Sequence, residues 1–131
     1  MKMDLPNKKY KIIYADPPWL FKNYNNKKSN HNSDHHYSCM SMKEIKELPI
    51  KNIADKNCIL FLWVTDPLIN KQIEVIKEWG FKYKTVGFYW IKENKNKSKS
   101  IYWKGTGYWT RANPEVCLLA TKGKPKRINF N

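Results

Sequence analysis

Asp16-Pro17-Pro18-Trp19 follows directly on Ile12-Ile13-Tyr14-Ala15, and at this junction the chain carries residues that can do chemistry. A β-branched apolar run that stops at an acid and two prolines reads as a buried strand ending in a rigid loop. In open α/β sheets, ligands bind outside such carboxyl ends of strands. The four residues offer one carboxylate, fixed backbone carbonyls and one flat aromatic, which is the equipment for holding an amino-bearing base. The exocyclic amine of adenine is a poor nucleophile, because its lone pair is delocalised into the ring. The Asp16 carboxylate can accept one N–H of such an amine and the Pro17 carbonyl the other, and proline's fixed φ aims both acceptors. Trp19 offers a face for stacking, worth about 1–3 kcal/mol per base. The amine would then attack the methyl of a sulfonium donor in line, with positioning supplying roughly 7–11 kcal/mol. The plainer alternative is a surface Asp-Pro turn with Trp19 as a core plug.

The elements that must hold this junction alternate between strands and helices. Tyr10 to Ala15 is expected as the first strand. Leu20 to His36 is Asn- and Lys-rich without a period. A loop of that length in a compact domain is usually functional or disordered, and its start at the junction suggests a mobile active-site lid. Ser41-Met42-Lys43-Glu44 is a capping box opening a short helix to about Leu48, stopped by Pro49. Cys58 to Val64 is continuously apolar and is expected as a central strand covered on both faces. Asp66 is placed as an N-cap with Pro67 at the first helical position. That helix is expected to reach about Trp79, with Ile69, Ile73, Ile76 and Trp79 on one stripe and Gly80 ending it.

Lys82 to Ile91 reads as another strand, Lys92 to Lys104 as a mobile basic loop, Gly105 to Pro114 as an ordered loop and Glu115 to Thr121 as a last strand. Lys122 onward carries no fold signal. Two β–loop–α–β units imply right-handed crossovers. The expectation is one α/β domain over residues 1–131, built on a Rossmann-like, doubly wound, mostly parallel sheet.

The formal net charge is +14, and arginine occurs only at Arg111 and Arg127, so the excess is lysine. Such an excess attracts phosphate backbones without reading sequence. Interleaved with six Trp and eight Tyr, it suits a binder of extruded bases. A Lys- and Asn-rich chain from AT-rich coding DNA would carry the same charge. Cys58 and Cys117 lie inside apolar runs as small core residues, and with Cys39 they make an odd count without CxxC spacing, pointing to a reducing, cytoplasmic setting. No apolar stretch is long enough to span a membrane. His31, His35 and His36 have no partner at zinc spacing, so no metal is expected.

Six segments together resemble one family, the MT-A adenine methyltransferases. They are YADPPW at Tyr14–Trp19, HYSCMSMKEI at His36–Ile45, ILFLWVT at Ile59–Thr65, EWGF at Glu78–Phe81, FYWIK at Phe88–Lys92 and GTGYWTRANPEVCLLATKGKPKR at Gly105–Arg127. They run in the family's order over nearly the whole chain. The resemblance implies a class I methyltransferase-like sheet and S-adenosylmethionine-dependent methylation of the adenine amine in DNA or RNA. It implies that Asp16, Pro17, Pro18 and Trp19 are the catalytic motif, with Asp16 also beside the methyl donor. It implies that Tyr37 lines the adenine pocket, that Trp90 stands at the pocket wall and that Glu115 lies near the bound base. Gly105 to Asn113 would gate the site. Arg111 of that loop would meet substrate, and Tyr14 and Asn113 would meet cofactor. Trp63 and Trp79 read as core.

In that family the chain runs on past the GKPKR-like segment into elements that contact the methionine and ribose parts of the cofactor. This sequence stops at Asn131 and has no Gly-rich cofactor loop. A truncated, fragmentary or partner-completed domain is therefore expected, with an open sheet edge that invites a homo- or heterodimer. The competing function is a non-catalytic module that binds nucleic acid or completes a heterodimer. A third is methylation of cytosine's amine or of a small molecule.

Overall fold

The computed structural model describes residues 5–20, 39–96, 98 and 100–127. The chain runs β1 (Tyr10–Ala15), α1 (Met42–Lys46), α2 (Ile50–Ile53), β2 (Ala54–Val64), a 3-10 turn (Asp66–Leu68), α3 (Ile69–Glu78), β3 (Lys82–Trp90) and β4 (Glu115–Lys122). β1 has the expected bounds. The capping box also forms: the Ser41 hydroxyl accepts from the Glu44 N–H, and the Glu44 carboxylate accepts from the Ser41 N–H at 2.8 Å. This satisfies donors that the first helical turn leaves open. Pro49, expected only to stop that helix, stands at the N-cap of α2.

The four strands form one sheet in the order β1-β2-β4-β3. β1 pairs parallel with β2, but β4 pairs antiparallel with both β2 and β3. The expected α/β class is present, and the sheet is mixed, with one parallel pair among its three pairs. β1, β2 and β3 still point the same way, because β4 inverts the direction twice. The physical reason lies between residues 91 and 114. A parallel return needs a crossover, usually helical, and no helical period exists in that stretch. The chain turns back beside β3 instead.

Burial in β2 alternates. Cys58, Leu60, Leu62 and Val64 are buried, while Ile59, Phe61 and Trp63 are half-buried. The expected cover on both faces is thus corrected to cover on one. On that face Ile45, Ile50, Val75, Ile76, Trp79 and Phe81 pack against Leu60, Leu62, Leu118 and Ala120. The α3 stripe is also shifted. Gln72, Val75, Ile76 and Trp79 are buried, whereas Ile73 is exposed. Gln72 takes a core position because its amide is satisfied there: its Oε1 accepts from the Thr65 N–H at 2.9 Å and its Nε2 donates to the Thr65 hydroxyl at 3.0 Å. Thr65, not Asp66, occupies the cap position of the turn, with Asp66 its first residue. The Trp79 indole donates to the Ile45 carbonyl at 2.9 Å, tying α3 to α1. Gly80 ends the helix at φ 84°, a conformation that glycine adopts without a Cβ clash.

Candidate functional site

The parallel pair β1–β2 brings two strand ends side by side. β1 ends into Asp16-Pro17 and β2 into Thr65-Asp66-Pro67, and these residues form one wall of a cleft of about 630 Å³. The opposite wall is the segment 103–115, with Trp103, Arg111, Asn113 and Glu115 among its lining residues. The volume lies within the roughly 300–1,000 Å³ typical of small-molecule sites. Three carboxylates, Asp16, Asp66 and Glu115, line a cleft in a chain of net charge +14. Lys92 and Arg111 share the lining, so the cleft carries both signs of charge.

Asp16 is the perturbed group. Burial first, then the nearby Glu115 carboxylate, hold its carboxyl above the ordinary value. Glu115 is itself bridged to Lys92, whose ammonium also lies 5.3 Å from the centre of the Trp103 ring. The charge of Asp16 reaches into the sheet as well: burial and then Asp16 push the Cys117 thiol up to about 11, so it stays protonated.

The Asp-Pro-Pro-Trp segment is pinned from three sides. The Trp19 N–H donates to the Pro17 carbonyl at 2.8 Å, closing a tight turn over Pro18. A carbonyl has two lone pairs, so Pro17 retains one for a ligand. The Pro18 carbonyl accepts from the Met40 N–H at 2.8 Å, and the Leu20 N–H donates to the Met40 carbonyl at 3.2 Å. Trp19 is only 6% exposed, and its indole donates to the Trp63 carbonyl at 3.0 Å. The stacking platform expected at Trp19 is therefore corrected to the plainer alternative. The ring is a core anchor that fixes the loop, and it is among the residues that line the cleft.

The other expected residues divide. Arg111, Asn113 and Glu115 line the cleft with Asp16 and Pro17. Asn113 is engaged by backbone: its Oδ1 accepts from the Lys92 N–H at 2.8 Å, and its Nδ2 donates to the carbonyls of Lys92 and Trp103. Both amide donors are used, so this side chain clamps the cleft wall, where a cofactor contact was expected. Trp90 and Tyr14 do not line the cleft. They flank Trp63 on the uncovered sheet face, and the Tyr14 hydroxyl accepts from the Trp63 indole at 2.6 Å. Tyr37 and most of the expected 20–36 lid lie outside the described residues.

The expected basic loop at 92–104 is crossed by hydrogen bonds. The Asn94 N–H donates to Ile101 and the Trp103 N–H to Lys92, so its described residues form a hairpin-like arm. The loop beyond it closes through a Gly105–Ala112 pair. A Cβ on Gly105 would sit 2.7 Å from the Trp103 ring, and Gly107 turns at φ 60°. Trp109 stands at the tip, 98% exposed. Sequence reasoning missed Asp66 and Trp103 as cleft residues. For Asp66 the signal was available: it follows the second apolar strand as Asp16 follows the first. Among the described residues no three His, Cys, Asp or Glu gather to hold a metal, and no helix is long and apolar enough to cross a membrane.

The sequence profile of the family described as MT-A70 matches residues 10–130. A Type II methyltransferase M.MunI of a Mycoplasma species is 35% identical over 138 residues, covering 92% of this chain and 54% of that protein. The human N(6)-adenosine-methyltransferase catalytic subunit METTL3 is 28% identical over 121 residues, covering 92% of this chain and 19% of its own. An Arabidopsis thaliana protein named as the non-catalytic subunit MTB is 28% identical over 120 residues, covering 91% and 15%. The chain spans about half the length of the Mycoplasma relative and a smaller part of the other two.

Proposed function

The chain belongs to the MT-A70 family, and we propose that it carries the catalytic corner for moving a methyl group from S-adenosylmethionine to the N6 amine of adenine in nucleic acid, DNA before RNA. The observation that carries this reading is the placement of Asp16: a carboxylate of raised proton affinity, at the end of a strand, facing a cleft of base-sized capacity. S-adenosylmethionine supplies an electrophilic methyl on a sulfonium. Asp16, Asp66 and Glu115 line the cleft and would suit a cation of that kind.

The chain's own residues do the rest. Asp16 accepts a hydrogen bond from the adenine amine, and the spare lone pair of the Pro17 carbonyl accepts the other N–H. Both contacts turn the nitrogen lone pair toward the donor. As the amine becomes positive, Asp16 stabilises it electrostatically and is the nearest acceptor for the proton it sheds. The surface lysines hold phosphates outside while the base enters, and a base in a duplex must first be flipped at a cost of a few kcal/mol. DNA is placed first because the Mycoplasma relative has the highest identity of the relatives compared. A cytoplasmic setting completes the reading.

The test is mass spectrometry of nucleosides from DNA and RNA incubated with the protein and isotopically labelled cofactor. Label is expected in N6-methyladenine and lost by at least about 10²-fold in Asp16→Ala, the scale of losing a positioned proton acceptor. An unchanged rate in that variant would sink the assignment. A second reading, a module that binds nucleic acid without catalysis, is favoured by the similarity to a subunit named non-catalytic. Calorimetry separates the two. Salt-sensitive binding of nucleic acid with no heat from S-adenosylmethionine would support the module.

A further inference from the structure

Trp109 is 98% exposed, yet it is also among the residues that line the cleft. An indole that does both stands on the rim. The loop that carries it is built to hold it there. Its ends close on each other, the Gly105 N–H donating to the Ala112 carbonyl at 2.7 Å. Gly107 turns the chain at φ 60°, and a Cβ there would run into the Thr110 carbonyl. The turn therefore holds no side chain of its own and presents the next two residues, Tyr108 and Trp109, outward. Trp103 is exposed as well, but its ring is already engaged, by the Lys92 ammonium and by the bare backbone of Gly105. Nearly the whole surface of Trp109 can still be buried by a ligand.

The sequence around the rim has charge of one sign. Residues 94–114 include Lys95, Lys97, Lys99, Lys104 and Arg111 and no Asp or Glu. Flat rings set among cations suit nucleic acid, because base faces stack on the rings and phosphates meet the cations. A base that reaches Asp16 from a duplex must leave its stack, and it leaves behind an unpaired partner and a gap between its neighbours. Proteins that unstack duplex steps insert apolar side chains at the opened step. We propose that Trp109 is such a wedge: as an adenine leaves a DNA duplex for the cleft, the indole enters the vacated position and stacks on the neighbouring bases, while Lys104 and Arg111 meet flanking phosphates. The inference rests on the reading that a base of nucleic acid enters the Asp16 cleft, and it adds what fills the space the base gives up.

The test uses the full chain and three DNA probes of one sequence: an intact duplex, the same duplex with a single abasic site in place of an adenine, and the single strand. The abasic duplex offers the gap already made and holds no base to be methylated, so its binding is read apart from methyl transfer. The chain should bind the abasic duplex at least about tenfold more tightly than the intact one at equal salt, the scale of one aromatic–base stack. Its tryptophan emission should fall on that probe as the indole stacks. Trp109→Ala should abolish both the preference and the quenching, with circular dichroism unchanged, and Trp109→Phe should restore part of the preference. Binding of the single strand should stay within about twofold in both variants, because one stack among several phosphate contacts is not limiting there. An equal affinity for the two duplexes overturns the proposal, as does a preference that survives Trp109→Ala. A loss in Trp109→Ala that is as large on the single strand overturns it in favour of a general stacking platform. A Trp109-dependent preference for the abasic duplex without methyl incorporation into any probe would leave the wedge standing and sink the methyl-transfer reading alone.

Discussion

The two faces of this sheet are made by the same strands from residues of similar type, yet they fare differently. On one, aliphatic side chains with Trp79 and Phe81 sit beneath three short helices and lose nearly all contact with solvent. On the other, aromatic side chains stack on one another and stay in water. Apolar composition alone therefore does not make a core; a covering element does. Burial contributes about 25 cal/mol per Å² removed from water, so the covered face supplies more of the stability than the open one.

The comparison breaks most directly at its largest predicted difference. Trp79→Ala removes a fully buried ring and its bond to Ile45, and should cost about 3–5 kcal/mol in urea denaturation. Phe88→Ala, on the open face, should cost under about 1 kcal/mol. Equal costs would mean that the open face is buried in solution. Trp19 belongs to the buried cluster yet sits on the Asp-Pro-Pro loop that lines the cleft. Trp19→Phe swaps the buried indole for a smaller aromatic ring and deletes the donor to the Trp63 carbonyl, with an expected loss of about 1–3 kcal/mol. If the anchor positions Asp16, methyl incorporation should fall further than the unfolded fraction explains.

The smallest effect concerns the cleft. Glu115 is the lesser of the two influences that raise Asp16, after burial. An Asp16 that must be ionised loses activity as pH falls through its raised pKa. Glu115→Gln should therefore move the acid limb of the pH–rate profile to lower pH. The stability sign is the matching one. A carboxyl whose folded pKa is raised destabilises the fold above that value, and the penalty disappears as pH drops below 3.8, its ordinary value. An acid limb displaced upward would show that Glu115 acts through something other than its charge.

Local signals were the legible part of the sequence. The bounds of β1, the Ser41 capping box and the stop at Gly80 each follow from a few adjacent residues whose chemistry admits one arrangement. What escaped was set by distant partners. The run from Cys58 to Val64 is apolar at every position, so its period cannot say which face will be covered. The direction of β4 depended on an absence, the missing helix between Ile91 and Glu115. At the site, Asp16, Pro17, Arg111 and Glu115 were found through their motifs and do share one cleft. Trp19 and Asn113 were assigned to ligands because aromatic and amide groups suit ligands. Their hydrogen bonds to backbone carbonyls show that building the wall consumes such groups first.

The pairing of Leu20 with Met40 has a consequence for how such a protein can diversify. Because the two ends of the intervening stretch are stapled to each other beside Pro18, its length is nearly decoupled from the corner at Asp16. Doubling a flexible loop adds only about 0.6 kcal/mol of closure entropy. Insertions, deletions or grafted sequences between those residues should be absorbed without moving Asp16, which makes this neck a natural place for evolution, or an engineer, to alter the chain while leaving the cleft alone.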